Sequence, residues 1–362
     1  MIRTPSFRLT RCLTPLLALL FLAACEIEIS STTTSGTGAA ESVSTATGPA
    51  PTSLRVVTYN IQNFNRETTA NGERIKNLRK VIADINPTVV GVQEVADRAC
   101  MEMVFPRDKW NVVIDDDSDD KQDVAFAVRK EWKLVGVAED LDADDKNFIA
   151  NGPKHESAFP NRRDGLFITI RQPGGKQEFT LINIHAKARV GGRPQSDARR
   201  ENSSRQIVKE IRSRFADRQV IVLGDFNDTP DDASLNILET GDLNARGEAE
   251  NRPDTFLVNL MEPLWAKNLV THGGNVKRLD KKTGRLNIVY NEARDRNNRT
   301  RGREAGSGPA LFDHILVTTN VQPMLAKPEA TIYTHPQALD GPGFSRPSDH
   351  LPVFADINLT AR

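Results

Sequence analysis

The sequence is poor in aromatic residues, has no excess of either charge and contains few long apolar runs. Aromatic residues make up 6% of the 362 positions, with three Trp and three Tyr. Lys and Arg together number 48, and Asp and Glu also number 48. This balance excludes a globally cationic scaffold of the kind that coats nucleic acids. Charge is nevertheless uneven, with an acidic cluster at 115–120 and a basic stretch at 277–303, and both patterns are typical of solvated loops as well as of binding surfaces.

The most apolar run lies near the N-terminus, where Arg3, Arg8 and Arg11 precede the stretch 17–22. This run is too short to span a bilayer as a mature helix and is typical of a secretory signal. It ends in Leu22-Ala23-Ala24-Cys25, which resembles the bacterial lipobox, whose cysteine is lipidated and becomes the first residue. An ordinary signal peptide followed by a chance cysteine is the alternative.

The sequence therefore predicts three regions of different character. We expect a lipoprotein signal peptide at 1–24, a disordered Ser/Thr/Gly tether at 25–53 and one globular domain at 54–362. If Cys12 is removed and Cys25 is lipidated, only Cys100 remains of the three cysteines, which excludes an intrachain disulfide. The expected product is a monomer, exported and lipid-anchored to the bacterial cell envelope, facing the periplasm or the exterior.

Short apolar runs bounded by Gly, Pro, Asn and Asp predict many strands and few helices. The strand candidates are Leu54–Tyr59, Thr88–Val92, Asn111–Ile114, Val124–Val128, Leu166–Ile170, Phe179–Ile184, Val220–Leu223, Ile315–Val317 and Val353–Ile357. Helical spacing appears around 75–85, before Pro87, and from about Gln195 to Phe215. This pattern favours an α+β fold of two packed sheets with helices outside. The polar, aperiodic stretch at about 241–308 suggests a long surface insertion, with a wholly disordered loop as the alternative.

Polar side chains follow or precede the predicted strands at the points where the strands end. The stretch 222–228, VLGDFND, places Asp225 and Asn227 two residues apart after a buried strand, so both face one side. Asn60, Glu94 and His185 end three other strands, whereas Asp313-His314 and Ser348-Asp349-His350 precede strands. Because an antiparallel strand starts where its neighbours end, all of these groups can share one edge. Each alone is as typical of a turn or a solvated strand end, and the remaining histidines, including His272 and His314, are interpreted as structural or surface groups.

Six motifs in order resemble those of the endonuclease/exonuclease/phosphatase superfamily, which includes pancreatic deoxyribonuclease, abasic-site endonucleases, inositol-polyphosphate phosphatases and bacterial sphingomyelinases. The motifs are Tyr59-Asn60-Ile61-Gln62-Asn63, Gly91-Val92-Gln93-Glu94-Val95, Asn183-Ile184-His185, Gly224-Asp225-Phe226-Asn227, Phe312-Asp313-His314-Ile315 and Ser348-Asp349-His350-Leu351-Pro352-Val353. The resemblance spans about Leu54 to Ile357. It implies a four-layer α/β/β/α sandwich, with two mainly antiparallel sheets packed face to face, and phosphoester hydrolysis with a divalent cation.

The resemblance also implies roles for individual residues. Glu94 is the metal carboxylate, with Asn60 and Asp349 completing or orienting its shell, and the ion is Mg²⁺, with Mn²⁺ and Ca²⁺ as alternatives. Asp225 positions or deprotonates the attacking water, and Asn227 donates to a phosphate oxygen. His350 is a base or a cationic phosphate donor that Asp313 orients, and His185 contacts the phosphate.

Two departures from the pattern affect substrate contacts. In deoxyribonuclease-like members a carboxylate pairs with the histidine matching His185, and Asp123 is the candidate here. Arg162 and Arg163 occupy a loop that often binds substrate, and with Lys187 and Arg189 they are candidates to grip phosphates, or ordinary surface charges.

The substrate class stays open at the sequence level. A nuclease is favoured because Lys187, Arg189, Arg193, Arg199, Arg200, Arg205 and the basic insertion could track a polyanion, with DNA or RNA as substrate. The stretch 183–189 also resembles that of extracellular bacterial nucleases. A phosphomonoesterase or a sphingomyelinase-type phosphodiesterase is the alternative, although the sequence has no aromatic-rich hairpin for entering a bilayer. A non-catalytic binder of the same fold is the third hypothesis.

Overall fold

The computed structural model describes residues 50–67, 72–115, 121–135, 148–149, 158–159, 163, 165–190, 192–247, 253–273, 278–289, 309–341 and 345–360. The described residues all belong to one compact unit, Thr47–Arg362. The predicted leader, Cys25 and Arg162 lie outside the described residues. In the part of the chain that the structure describes, no helix has the length and hydropathy needed to cross a bilayer.

Strands form most of the regular structure. They are β1 (Ser53–Phe64), β2 (Val89–Val95), β3 (Trp110–Ile114), β4 (Asp123–Arg129), β5 (Lys133–Leu134), β6 (Phe148–Ile149), β7 (Gly165–Arg171), β8 (Glu178–His185), β9 (Val220–Asp225), β10 (Leu257–Asn259), β11 (Arg278–Asp280), β12 (Arg285–Asn287), β13 (Asp313–Thr318), β14 (Thr331–Ile332) and β15 (Val353–Asn358). The helices are α1 (Glu73–Ile85), α2 (Arg98–Val104), α3 (Arg193–Arg214), α4 (Ala233–Thr240) and α5 (Glu262–Trp265), with 3₁₀ turns at Gln322–Met324 and Pro336–Leu339. All nine predicted strands and both predicted helices are present.

Two sheets make the sandwich that the sequence predicts. The first has the strand order β14-β15-β1-β2-β4-β3, and the second has the order β10-β13-β9-β8-β7-β5, with β6 paired to β7. Each sheet contains one parallel pair, β1 with β2 and β8 with β9, and its other pairs are antiparallel. The α+β class and the mainly antiparallel sheets are therefore confirmed.

Alternation along β9 shows how the sequence builds the layers. Ile221 and Leu223 belong to the large apolar cluster that also holds residues of the first sheet. Val220 and Val222, one position out of phase, belong to a second cluster with Ile207 and other residues of α3 and α4. Because neighbouring side chains on a strand point to opposite faces, one apolar run serves both the core between the sheets and the helix layer. This double burial explains why the run is continuous rather than alternating.

The predicted surface insertion at 241–308 needs a correction. Strand β10 pairs with β13 at the edge of the second sheet, with Leu257 opposite Thr318. Leu260 and Met261, which follow it, are fully buried. The apolar positions here are few and separated by polar residues, so a periodicity argument misses a strand of three residues. The described part of this stretch therefore contributes to the domain itself.

Gly224 permits the close pairing of β8 with β9, and we expect its replacement to be costly. Its φ is +149°, and a Cβ placed there would lie 2.1 Å from the carbonyl oxygen of Ile184. That atom belongs to the backbone of a central strand, so it cannot move without breaking the parallel pairing of β8 and β9. The Gly224→Ala variant should lose about 3 kcal/mol or more of its free energy of unfolding, measured by denaturant titration.

Gly284 provides the matched control for this prediction. It also has a positive φ, +65°, but nothing lies within 4 Å of a Cβ built on it, in the turn between β11 and β12. Gly284→Ala should therefore cost about 1 kcal/mol, the usual backbone penalty alone. Equal losses in the two variants would contradict the steric explanation for Gly224.

Candidate active site

Asn60 joins the ends of the two sheets. It lies on β1 opposite Gln93 of β2. Its side-chain Nδ2 atom donates at 2.9 Å to Glu94 Oε1 and at 2.9 Å to Asp225 Oδ2. Its Oδ1 atom accepts from the backbone N–H of Gln62, which fixes the amide orientation. One fully buried amide thus brings together a carboxylate from each sheet, as the strand-end argument predicts.

Glu94 faces this site because it occupies a β-bulge. The register of β2 with β4 passes from Gln93 opposite Val124 to Val95 opposite Asp123, which leaves Glu94 unpaired. Its φ is +62°, a conformation that is uncommon for a residue other than glycine and that is often found at functional sites. The backbone N–H of Asn63 donates to Glu94 Oε2 at 2.8 Å and holds the carboxylate in place. The bulge therefore turns Glu94 away from the direction that plain alternation gives it.

Asp225 is the last residue of β9, Asn227 lies two residues beyond it, and both are buried. Asp225 Oδ1 accepts from the backbone N–H of Asn227 at 2.9 Å, whereas its Oδ2 atom receives the Asn60 amide. Asn227 has a positive φ of 52°, and its Nδ2 atom donates to the carbonyl oxygen of Ala186 at 3.1 Å. Burial raises the pKa of Asp225 above its usual range, and the neighbouring His350 opposes that shift.

His350 and Asp313 form a buried pair on the other side of Asp225. Asp313, at the start of β13, lies directly opposite Asp225 in the register. His350 Nδ1 donates to Asp313 Oδ2 at 2.9 Å, and His350 Nε2 lies 3.7 Å from Asp225 Oδ2. Burial alone would lower the pKa of His350, but Asp313 and Asp225 outweigh it and raise this pKa to about 10. These two carboxylates therefore favour the imidazolium form of His350, which has a hydrogen-bond donor at each ring nitrogen.

His185, by contrast, is neutral. It lies beside Asp225 in the β8–β9 register, and its Nε2 atom is 3.7 Å from Glu94 Oε1 and 3.8 Å from Asp225 Oδ2. Burial lowers its pKa well below the usual value, and the positive charge of Arg163 adds to this shift. Arg163 Nη1 lies 2.9 Å from His185 Nδ1 and 3.3 Å from His185 Nε2. Since a guanidinium can only donate, one ring nitrogen of His185 accepts from Arg163.

Two buried amides behind the site hold the sheets together. Gln93 Nε2 donates to Asn183 Oδ1 at 2.6 Å, from the first sheet to the second. Asn183 Nδ2 in turn donates at 2.9 Å to the carbonyl oxygens of Val92 and Ala125. Both side chains are fully buried, so these bonds fix the spacing between the sheets at the level of the site. Both residues lie in family motifs, but no role for either was predicted from the sequence.

Arg189 does not fit its predicted role as a substrate-binding residue. It is buried, its Nη2 atom pairs with Asp228 Oδ1 at 2.9 Å, and it also donates to Asp232. Its Nε atom donates to the carbonyl oxygen of Asn227 at 2.8 Å. These contacts use the guanidinium to hold the turn that follows β9, because a buried cation requires such partners. Lys187 is half-buried, and its charge helps to lower the pKa of His185, so it lies near the site.

Asp349 and His272 adjoin the site on the side of His350. His272 Nε2 lies 3.7 Å from Asp349 Oδ2, and the His272 and His350 ring centroids are 4.6 Å apart. Ser348 connects this segment to β1, since its hydroxyl donates to the carbonyl oxygen of Asn60 at 2.6 Å. The structure therefore places Asp349 with two histidines. No feature of the sequence around His272 predicts this position.

The structural histidine His314 gives a prediction about pH. It is fully buried, its Nε2 atom lies 3.0 Å from the carbonyl oxygen of Asp228, and burial lowers its pKa to about 4. Between about pH 6.5 and pH 4 the unfolded chain binds a proton at this residue and the folded chain does not. The free energy of unfolding should therefore decrease as the pH is lowered from about 6.5 to about 4. The expected loss is about 1.4 kcal/mol per pH unit and about 3 kcal/mol in total.

A variant isolates this effect from that of other groups. Burial raises the pKa of Asp228 to about 6, which has the opposite effect on stability in the same window. Denaturant titrations of the parent and of His314→Gln at pH 4.5 and pH 7.5 separate the two, because only the parent carries the histidine term. Identical pH dependence in both proteins would show that folding does not lower the pKa of His314.

The donor set suits a divalent cation. One oxygen of Glu94, one oxygen of Asp225 and one nitrogen of His185 lie within 4.8 Å of one another. Both carboxylates accept from the same Asn60 nitrogen, which shows that their oxygens converge on one point. Hard oxygen donors suit Mg²⁺, and the Glu94 side chain is 15% exposed, which leaves room for water ligands. The residues present therefore fit the metal that the resemblance implies.

Comparisons with known proteins identify the family and support the fold. A model described as the Endonuclease/Exonuclease/phosphatase family matches residues 57–350. A search of curated protein sequences found no match. Among solved structures, the chain is similar to an endonuclease/exonuclease/phosphatase from Bacteroides vulgatus, at 17% identity and a TM-score of 0.56, covering 85% of this chain and 100% of that chain.

The chain is also similar to D. rerio TDP2 complexed with a single strand DNA product, at 17% identity and a TM-score of 0.54, covering 85% of this chain and 100% of that one. Truncated Caenorhabditis elegans TDP2 gives 16% identity and a TM-score of 0.53, with 84% and 98% covered. At such identities the structures show a shared fold. Because the family model covers most of the chain, the protein belongs to the Endonuclease/Exonuclease/phosphatase family, whose members hydrolyse phosphoesters.

Proposed function

We propose that this protein is an exported, lipid-anchored nuclease that hydrolyses phosphodiester bonds of DNA or RNA with Mg²⁺. The observation that supports this most strongly is the convergence of Glu94, Asp225 and His350. They come from different strand ends. The Asn60 amide bonds to both Glu94 and Asp225, and His350 lies between Asp225 and its partner Asp313. A phosphodiester needs its negative charge neutralised and a water directed at phosphorus, and this arrangement supplies groups for both.

Glu94 and Asp225 would hold the metal, with Asn60 orienting their carboxylates. When bound, the cation supplies Lewis-acid polarisation of the phosphate and charge neutralisation. The backbone N–H of Asn63 holds the Glu94 carboxylate, and that of Asn227 holds the Asp225 carboxylate. The two side chains therefore need to move little when a cation binds. Preorganisation of this kind lowers the cost of reaching the transition state.

Asp225 is also placed to orient a water on the phosphate. Its Oδ2 atom lies 3.7 Å from Nε2 of His350. The Asp225 carboxylate is therefore next to both the proposed metal and the proposed proton donor. The Nε2 hydrogen of His350 then donates to a phosphate oxygen, or to the departing oxygen, as charge develops there. Asn227 has a second amide hydrogen beyond the one given to Ala186, and this can donate to a phosphate oxygen.

The neutral His185 donates to the phosphate from the opposite side. Its Nε2 atom faces Glu94 and Asp225, and a hydrogen on this nitrogen would donate to a phosphate oxygen. Arg163 therefore acts on the phosphate through His185 and through its own charge. Arg162, which lies outside the described residues, and Lys187 remain proposed phosphate contacts.

Nucleic acid is the proposed substrate because a structure with the same fold, D. rerio TDP2, was solved with a single strand DNA product. The cationic track predicted on α3 receives less support. Arg193 pairs with Asp197 and Asp232, and Arg205 pairs with Glu201. Lys281, Lys282 and Arg285 on the β11–β12 hairpin are exposed cations that a polyanion can reach.

A substrate panel tests the proposal. Duplex DNA, single-stranded DNA, RNA, sphingomyelin and inositol phosphates are incubated with Mg²⁺ and with chelator. We expect Mg²⁺-dependent cleavage of nucleic acid, with an apparent affinity that falls steeply with salt. Release of choline phosphate or inorganic phosphate with intact nucleic acid would instead indicate a phospholipase or phosphomonoesterase. No turnover with Mg²⁺, Mn²⁺ or Ca²⁺ would indicate a binder of the same fold.

The lipid anchor has a separate test. The stretch Leu22-Ala23-Ala24-Cys25 supports lipidation of Cys25, and it precedes the described residues. In a bacterial host, labelled fatty acid should be incorporated into the parent and not into Cys25→Ser. Equal labelling of both proteins, or none, would remove the anchor and leave the enzymatic proposal intact.

A further inference from the structure

A second group of metal-ligating side chains adjoins the active site. One ring nitrogen of His272, one of His350 and one oxygen of Asp349 lie within 4.8 Å of one another. His272 Nε2 and Asp349 Oδ2 are 3.7 Å apart. His350 is buried, whereas the side chains of His272 and Asp349 are 24% and 34% exposed, so the group opens to solvent on one side.

The backbone fixes this group in position. His272 and His350 form an antiparallel bridge, and the backbone N–H of Leu351 donates to the carbonyl oxygen of Thr271 at 2.9 Å. The His272 ring also stacks on Phe312, with centroids 5.6 Å apart and an interplanar angle of 26°. Main-chain pairing therefore holds the two residues side by side, and packing on Phe312 restricts the His272 ring.

We propose that His272, Asp349 and His350 form a binding site for a transition-metal ion of the Zn²⁺ class, and that its occupancy inhibits the enzyme. Two imidazoles and one carboxylate with a water in the fourth position are a usual zinc donor set, whereas Mg²⁺ prefers oxygen ligands. Tetrahedral zinc with bonds near 2.0–2.1 Å places its ligands about 3.3 Å apart. The 3.7 Å separation of His272 and Asp349 needs only a small closure to reach that value.

His350 connects this group to the active site. Its Nδ1 atom lies 2.9 Å from Asp313 Oδ2, the carboxylate–histidine pairing that orients metal-binding imidazoles. Its Nε2 atom lies 3.7 Å from Asp225 Oδ2. A metal bound to His350 occupies the ring that the proposed function directs at the phosphate, and the inhibitory part of the proposal rests on that function.

Metal binding is tested without reference to catalysis. Zinc is titrated against a chromophoric chelator in excess Mg²⁺, with the parent, His272→Gln and the control His335→Gln, whose ring stacks on Tyr333 instead. We expect His272→Gln to lose one zinc equivalent or to raise its Kd at least ten-fold, and His335→Gln to match the parent. Unchanged zinc binding in His272→Gln, or an equal loss in the control, would overturn the site.

Inhibition is measured separately, as the zinc concentration that halves the Mg²⁺-dependent rate of each variant. We expect this concentration to rise at least ten-fold in His272→Gln. Asp349→Asn is the second variant, and it serves if thermal denaturation shows that His272→Gln does not fold. Zinc bound at this site without loss of rate would overturn the inhibitory role. If no substrate is turned over, the chelator titration still decides the site, so the two failures are distinguishable.

Discussion

Replacing His350 with alanine is expected to lower kcat by about 10²–10⁴-fold, the usual contribution of a positioned acid–base group. The buried ring is held by Asp313 at 2.9 Å and lies 3.7 Å from Asp225, and these two carboxylates keep it protonated at neutral pH. The variant loses the hydrogen that stabilises charge on the phosphate or on the departing oxygen. Binding of Mg²⁺ should be nearly unchanged, because Glu94 and Asp225 remain.

The Asp313→Asn variant separates charge from position in this pair. It preserves the shape of the partner but removes the charge that raises the pKa of His350, so the pH at which activity falls on the alkaline side should move down. His335→Ala is the control for a general effect of histidine removal. Steady-state rates with nucleic acid measure all three. Activity of His350→Ala within two-fold of the parent would exclude a role for its proton.

The strands were predictable because their signals are local. The run at Val220–Leu223 is apolar, β-branched and bounded by Gly224, and the structure forms β9 there. Asp225 and Asn227 were predicted at the end of this strand for the same reason. Because antiparallel neighbours start where β9 ends, Asp313 was predicted to share this edge, and the structure places it opposite Asp225.

The parts that could not be predicted depend on backbone irregularities and on long-range contacts. The bulge that turns Glu94 into the site changes the strand period by one residue, and no periodicity argument detects it. Arg189 carries the same charge in a phosphate clamp as in a buried ion pair, and only the positions of Asp228 and Asp232 distinguish the two. His272 lies far from His350 in sequence, and a single backbone bridge brings them together.

The inter-sheet amides show why the motifs extend beyond the reacting groups. Asn183 precedes His185 by two residues on β8, so its side chain points to the same face and reaches Gln93, next to Glu94 on β2. This hydrogen bond fixes the position of one sheet against the other immediately behind the carboxylates of the site. A motif such as Asn183-Ile184-His185 therefore combines a positioning group with a functional one, and the functional geometry depends on both.

Replacing Glu94 with alanine is expected to weaken the divalent metal and lower activity together. Removing partners of metal ligands commonly costs 10–100-fold in affinity, so loss of a carboxylate ligand itself should cost at least about 10²-fold. Asn60 Nδ2 and the backbone N–H of Asn63 would also lose their acceptor at Glu94, which loosens the remaining shell. Mn²⁺ or Mg²⁺ binding is measured by calorimetry, and activity is measured as a function of metal concentration.

The comparison of Glu94→Ala with His350→Ala decides whether the two residues have separate roles. Glu94→Ala should recover part of its rate at high metal concentration, whereas His350→Ala should not, because metal does not replace a proton donor. Glu178→Gln, which removes a carboxylate paired with Arg171 in β7, is the control for a general loss of negative charge. If Glu94→Ala binds metal as tightly as the parent, the cation is held elsewhere, and the convergence of Glu94 with Asp225 must serve another purpose.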